Sequence, residues 1–175
     1  MPHRYILSVG SIEKRKNMLL AVQALPYLPS NISLVLVGKK TEYTEQIQQF
    51  VNMNQLNDRV YMFHHVSNEE LPVFYKLAKC FVYPSRYEGF GIPIIEAIHC
   101  NLPVIATTGS CLEEAGGPDC IYVSPDNPIA LSEAIIQLMN EDSQRRIERT
   151  KEYVSRFENT NVADQIHNIY QQLVD

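Results

Sequence analysis

A chain of 175 residues with 45% hydrophobic content has the length of one ordinary domain and can bury a good core. A formal net charge of −5, with no basic run beyond Lys14-Arg15-Lys16, argues against a general nucleic-acid binder. Four cysteines (Cys80, Cys100, Cys111, Cys120) without a C-x-x-C pair, no signal-peptide core after Met1-Pro2-His3-Arg4 and no apolar run of spanning length fit a soluble cytoplasmic domain with reduced thiols and no membrane insertion.

Short β-rich runs alternate with longer amphipathic ones. Tyr5–Val9 reads as a buried strand ending at Gly10, and after a charged loop residues 18–25 show helical spacing closed by Pro26 and Pro29. Ser33–Val37 is a second strand, ending at Gly38, and a polar helix is expected over residues 41–53 with Ile47, Phe50 and Val51 on one face. Val60–Phe63 is a third strand, followed by His64-His65. Asn68 is read as the cap of a helix carrying Leu71, Phe74, Tyr75 and Ala78, with Glu69 and Glu70 in its first turn. Cys80–Tyr83 is the fourth strand. A helix over residues 93–99, strands at 104–106 and 121–123, and helices at 128–139, 143–153 and 161–174 complete the chain.

No repeat, low-complexity segment or long linker divides the sequence. Near-continuous apolar strands alternating with helices predict an α/β fold, a Rossmann-like parallel six-stranded sheet with helices on both faces. The segments 10–16, 38–40, 64–66, 84–91 and 107–110 all follow strands, so they gather at the carboxyl edge, where open α/β sheets bind ligands.

The most informative stretch runs from Pro84 to Ala97, Pro-Ser-Arg-Tyr-Glu-Gly-Phe-Gly-Ile-Pro-Ile-Ile-Glu-Ala. Glu88 and Glu96 flank a turn, Gly89-Phe90-Gly91, that leads into a proline suited to the first turn of a helix. Such a turn presents backbone N–H groups to an anion, and the carboxylates can grip hydroxyls, so a ligand with both phosphates and hydroxyls is indicated. The first strand is followed by a single glycine instead of G-x-G-x-x-G, and no G-x-x-x-x-G-K-[ST] loop occurs. His64 and His65, adjacent at a strand end, diverge and do not readily chelate together. The glutamate pair also invites a glycosidase reading. One glutamate before a phosphate-type loop and one in the helix after it fit diphosphate–sugar binding better.

On these residues the chain resembles the C-terminal, donor-binding half of the retaining group 1 (family 4) glycosyltransferases of GT-B fold, whose signature E-G-F-G-x-P-x-x-E-A is matched by residues 88–97. The likeness extends to Gly10 and Lys16, Val37-Gly38, Val66-Ser67 with Glu70-Leu71, Pro103-Val104-Ile105, the helix residue Glu114 and Val123-x-Pro125. It implies one nucleotide-sugar-binding domain over residues 1–175, equal to half of a GT-B enzyme. The N-terminal acceptor domain would be absent, and helix 161–174 would pack toward it.

The resemblance further implies that Glu88 holds hydroxyls of the donor sugar and Glu96 those of the ribose. Backbone groups of Gly89, Phe90, Gly91 and Ile92 would face the sugar and diphosphate, with Gly10 and Ser11 forming the opposite turn. Many members carry arginine where this chain has Ser11, and Arg15 is read as its substitute beside Lys16. Glu88, Lys16 and Arg15 would then be the catalytic set. His64 stands where glycine is common, and the loop with His65 and Val66 would border the base. No D-x-D motif occurs, so no metal or other cofactor is expected, and lysine, arginine and helix N–H groups would hold the diphosphate of a UDP-, GDP- or ADP-sugar.

The expected function is retaining hexose transfer to a saccharide or lipid-linked acceptor in polysaccharide biosynthesis, at the inner face of a membrane, with the isolated chain inactive. The alternatives are a non-catalytic nucleotide-sugar-binding or interaction module of the same fold, or a GT-B epimerase or phosphorylase.

Overall fold

The strand β1 (Tyr5–Val9) is buried along its whole length, as is β2 (Ser33–Val37), because each lies inside a sheet covered on both faces. A computed structural model describes residues 2–158 and 171. Four further strands, β3 (Val60–Phe63), β4 (Cys80–Tyr83), β5 (Val104–Thr107) and β6 (Ile121–Val123), join them. All pairs are parallel, in the order β3-β2-β1-β4-β5-β6. The predicted six-stranded Rossmann-like sheet is therefore the observed one. The order reverses between β1 and β4, which pair through Ile6↔Cys80 and Leu7↔Phe81, and a reversal of this kind opens a crevice for ligands at the carboxyl ends.

Alternation along each strand divides the core into two layers. Ile6, Leu34, Leu36, Val82 and Ile105 face helices α1 (Met18–Ala24), α2 (Tyr43–Met53) and α6 (Pro128–Asn140). Leu7, Val35, Phe81, Tyr83 and Val104 face α3 (Leu71–Leu77), α4 (Ile92–His99), α5 (Leu112–Gly116) and α7 (Gln144–Val154). Phe81 is fully buried, and its truncation to alanine would cost about 3–5 kcal/mol.

Several local expectations are corrected. Asn68 does not cap α3. Ser67 and Glu70 satisfy each other instead, Ser67 N donating to Glu70 Oε2 at 2.9 Å and Glu70 N to Ser67 Oγ at 3.3 Å, and this reciprocal pairing of serine and glutamate starts the helix proper at Leu71. Glu69 and Glu70 thus precede the first helical turn. The expected helix over 18–25 stops at Ala24 and tightens into a 3-10 turn, Leu25–Tyr27, because Pro26 offers no N–H to continue the α-helical ladder. The charged loop after β1 contains a 3-10 turn, Lys14–Lys16. Helix α5 is too short for periodicity to reveal, although Glu114 does lie on it. The expected helix 161–174 falls outside the described residues, Gln171 apart. Among the described residues no helix is long and apolar enough to cross a membrane.

Two glycines beside the site are in close packing. A Cβ on Gly38 would lie 1.7 Å from the carbonyl oxygen of Gly10, so the turns after β1 and β2 pass in backbone contact. Gly91 has φ +116° at the head of α4, and a Cβ there would press on Leu112 and Ala115 at 3.1 and 3.2 Å. The latter contact seats the end of the 88–91 loop against α5.

Candidate functional site

The turn after β1 and the loop after β4 are adjacent because their strands are, and the main chain ties them together. Arg86 N donates to Arg15 O at 3.0 Å, and Ser85 Oγ lies 3.3 Å from the same carbonyl. The Ser85 carbonyl in turn accepts from the Thr107 hydroxyl at the end of β5. Three strand ends thereby hold one segment.

Glu88 lies at the centre of this arrangement, with 9% of its side chain exposed. Lys16 Nζ stands 2.7 Å from Oε1 and Arg15 Nη1 2.8 Å from Oε2. Ser85 Oγ donates to Oε1 at 2.5 Å. Burial pushes the Glu88 carboxyl up, and the bonds from Lys16, Ser85 and Arg15 outweigh it, holding the group below its ordinary range. The bond to Glu88 raises Arg15 against the opposing effect of burial. Glu13, 3.6 Å from Arg15 Nη2, supplies a more exposed second carboxylate.

The loop's shape is set from outside it. Cys111 Sγ approaches the carbonyls of Glu88 at 3.1 Å and Phe90 at 3.3 Å, and the Phe90 ring packs edge-on against Phe157 at 4.9 Å. The Phe90 side chain thus belongs to the core on the α7 side, leaving its main chain at the turn. Gly89 has nothing within 4 Å of an added Cβ, so the space above it is open. Ile92 and Tyr87, each 63% exposed, flank the same turn.

Glu96 occupies a second place. It lies on α4, where its Oε2 accepts from the Tyr75 hydroxyl at 2.9 Å. It lines a cavity of about 330 Å3 together with Asn68, Leu71, Pro72, Tyr75 and His99. This cavity therefore lies at Glu96, while the Glu88 cluster is closed by its own ion pairs.

Lys16, Arg15 and Glu88 are brought together. Gly10 adjoins them, since a Cβ there would lie 3.5 Å from Lys16 Cε, whereas Ser11 enters through its carbonyl, which accepts from Glu13 N at 2.9 Å. His65 is exposed on the loop after β3, and Val66 is half-buried against the core under α3 and α4. Neither reaches the Glu88 cluster. His64 Nδ1 lies 3.0 Å from Gly38 O.

Sequence reading did not find Tyr83, Ser85, Tyr75 or Cys111. Tyr83 accepts from Lys16 Nζ at 2.8 Å, and its place immediately before the motif was the one available signal. Among the described residues no three His, Cys, Asp or Glu side chains form a metal-binding group. Chemically, two cations, a hydroxyl and the loop N–H groups suit an anion, and the Glu96 cavity combines an apolar wall with one carboxylate.

A family model described as "Glycosyl transferases group 1" matches residues 2–156. The O-antigen chain mannosyltransferase B of Escherichia coli is 35% identical over 147 residues, covering 82% of this chain and 39% of that protein. Among solved structures, the sucrose-phosphate synthase of Thermosynechococcus elongatus superimposes with a TM-score of 0.86 at 30% identity, over 98% of this chain and 46% of that one. Anabaena Alr3699/HepE in complex with UDP and glucose shares the fold, with a TM-score of 0.83 at 19% identity over 97% of this chain and 49% of that one. The chain thus spans less than half the length of each.

Proposed function

The chain belongs to the group 1 glycosyl transferases, and from that premise we propose that it is the donor-binding part of a retaining hexosyltransferase that uses a nucleotide-diphosphate sugar. The observation that carries this is the meeting of Lys16 and Arg15 with Glu88 at the carboxyl ends of β1 and β4, where the strand order reverses.

Breaking the bond between the anomeric carbon and the phosphate oxygen leaves its electron pair on the departing diphosphate. Lys16, Arg15 and the N–H groups around Gly91 and Ile92 at the head of α4 stabilise that charge, and because the protein already holds them in place little reorganisation is needed. Lys16 uses two of its three N–H donors on Glu88 and Tyr83, so a third remains for a phosphate oxygen. Glu88 has two partners on Oε1 and one on Oε2. Oε2 is assigned to a sugar hydroxyl, and the ionised carboxylate tolerates the positive character that grows on the ring.

The open space above Gly89 admits the sugar. The cavity at Glu96 takes the nucleoside, with Leu71, Pro72 and the Tyr75 ring beside the base and Glu96 on the ribose hydroxyls. The mannosyl activity named for the Escherichia coli relative makes mannosyl donors the first to try, and its O-antigen role favours a polysaccharide acceptor at the cytoplasmic face of a membrane. Relatives of about twice the length supply a further segment, to which acceptor binding is assigned. The 175-residue chain alone is expected to bind donor and transfer nothing.

Calorimetric titration of the chain with UDP-, GDP- and ADP-sugars tests the proposal. One nucleotide series should bind, and Lys16→Ala and Glu96→Ala should each weaken it about tenfold or more. Unchanged affinity in both variants would overturn the site, and robust transfer by this chain alone would overturn the division of labour.

A further inference from the structure

The Glu88 cluster and the Glu96 cavity lie on different elements, yet one buried row of packed rings joins them. Phe81 and Tyr83 alternate onto the same face of β4, their centroids 5.7 Å apart at an interplanar angle of 20°. Tyr75 from α3 packs on Phe81 at 5.4 Å. Tyr75 and Tyr83 are each 2% exposed, so neither ring has room to shift. The hydroxyl of each meets a charged group. Tyr83 accepts from Lys16 Nζ at 2.8 Å, and Tyr75 donates to Glu96 Oε2 at 2.9 Å.

We propose that Tyr83 and Tyr75 are positioning residues, whose hydroxyls hold Lys16 and Glu96 at the two ends of one row of packed rings and so set the spacing at which phosphate and ribose are gripped. This rests on the donor-site reading above. A buried hydroxyl without a partner is costly, so each phenol favours the side-chain rotamer of its charged neighbour that satisfies it. Lysine has four flexible bonds to restrain, and restraint before binding lowers the ordering cost of the ligand complex. The Lys16 stem passes beside Gly10, and its ammonium lies 5.1 Å from the Tyr83 ring centroid. With Lys16 donating to the Tyr83 oxygen, the phenol's own proton is free to bond Glu88. Burial first, and then the charge of Glu88, raise the Tyr83 pKa; burial and then Glu96 raise that of Tyr75, so both remain protonated donors.

The test uses Tyr83→Phe and Tyr75→Phe, which keep the rings and remove one oxygen each. Whichever of UDP, GDP or ADP binds wild type best is compared with its monophosphate and with its 2′-deoxy form. In wild type the diphosphate should bind more tightly than the monophosphate, and the ribose form more tightly than the deoxy form. Tyr83→Phe should shrink the first ratio about tenfold and leave the second unchanged, whereas Tyr75→Phe should do the reverse. Ratios taken within one sample are insensitive to any folded fraction below one. If wild type lacks both preferences, the donor-site reading itself fails. If wild type shows them and both variants keep both ratios, or lose both equally, the positioning roles are wrong.

Discussion

The carboxylate of Glu88 is shared by two cations and a hydroxyl within the protein itself. That sharing has a pH signature. The folded pKa lies below the ordinary value of 4.5, so the unfolded chain takes up this proton first as the solution is acidified. The stability contributed by Glu88 is therefore complete above about pH 4.5 and is lost as the pH falls through the lower folded value. Glu88→Gln should destabilise the domain at pH 7 by about 2 kcal/mol, since Lys16 and Arg15 lose their counter-charge. Below pH 4.5 its stability should fall less steeply than that of wild type. Urea midpoints between pH 7 and pH 3 check this, and parallel curves for the two proteins would contradict it. At this scale the residue types were legible and their partners were not. Arg15 stands 73 positions from Glu88, and no local spacing relates them. Tyr83 read as one more apolar strand residue, because its hydroxyl matters only where the turn after β1 arrives beside it.

Among the elements, the strands were the most legible, since a continuous β-branched and apolar run of three to five residues is too short for a buried helix, and β1 and β2 each end at a glycine. Helix boundaries moved where side chains competed for the backbone, as Ser67 and Glu70 do ahead of α3. Periodicity did not reveal helix α5, because five residues complete barely more than one turn, and the family resemblance alone pointed to Glu114 as a helix residue. Its importance is positional, for it carries the Leu112 and Ala115 contacts with Gly91 and is preceded by Cys111, which holds the carbonyls of Glu88 and Phe90.

Two glycine substitutions separate scaffold from site. Gly38→Ala forces a methyl group into the Gly10 carbonyl and should lower stability by about 3 kcal/mol or prevent folding. Gly89→Ala meets no protein atom, so the melting temperature should stay within a few degrees of wild type while nucleotide-sugar affinity falls. Thermal melts paired with titrations measure both. A large loss of stability in Gly89→Ala would show that the open space is a packing requirement after all.

For the whole molecule, burial is graded across the sheet. The central strands β1, β2, β4 and β5 are buried throughout, while β3 is half-exposed and β6 buries Val123 alone. Amide exchange should accordingly be slowest in β1 and β4, whose strand ends carry the Lys16–Glu88 cluster, and fastest among the strands in β3 and β6. Equal protection across all six strands would contradict this gradient. A rigid centre suits a site that must hold cations within ångströms of one another.

The sequence alone determined the alternation of strand and helix, the two-sided burial of the sheet and the gathering of chemistry-bearing loops at its carboxyl edge. These follow from periodicity and from the right-handedness of crossovers, which act over tens of residues. Only the tertiary structure decided that Arg15 and Lys16 close on Glu88, that a cavity of about 330 Å3 lies at Glu96 instead, and that the packed rings of Tyr75, Phe81 and Tyr83 connect the two. Those facts depend on which strands are neighbours and how side chains from distant segments fill one shared volume, and close packing of that kind leaves no local mark in the chain.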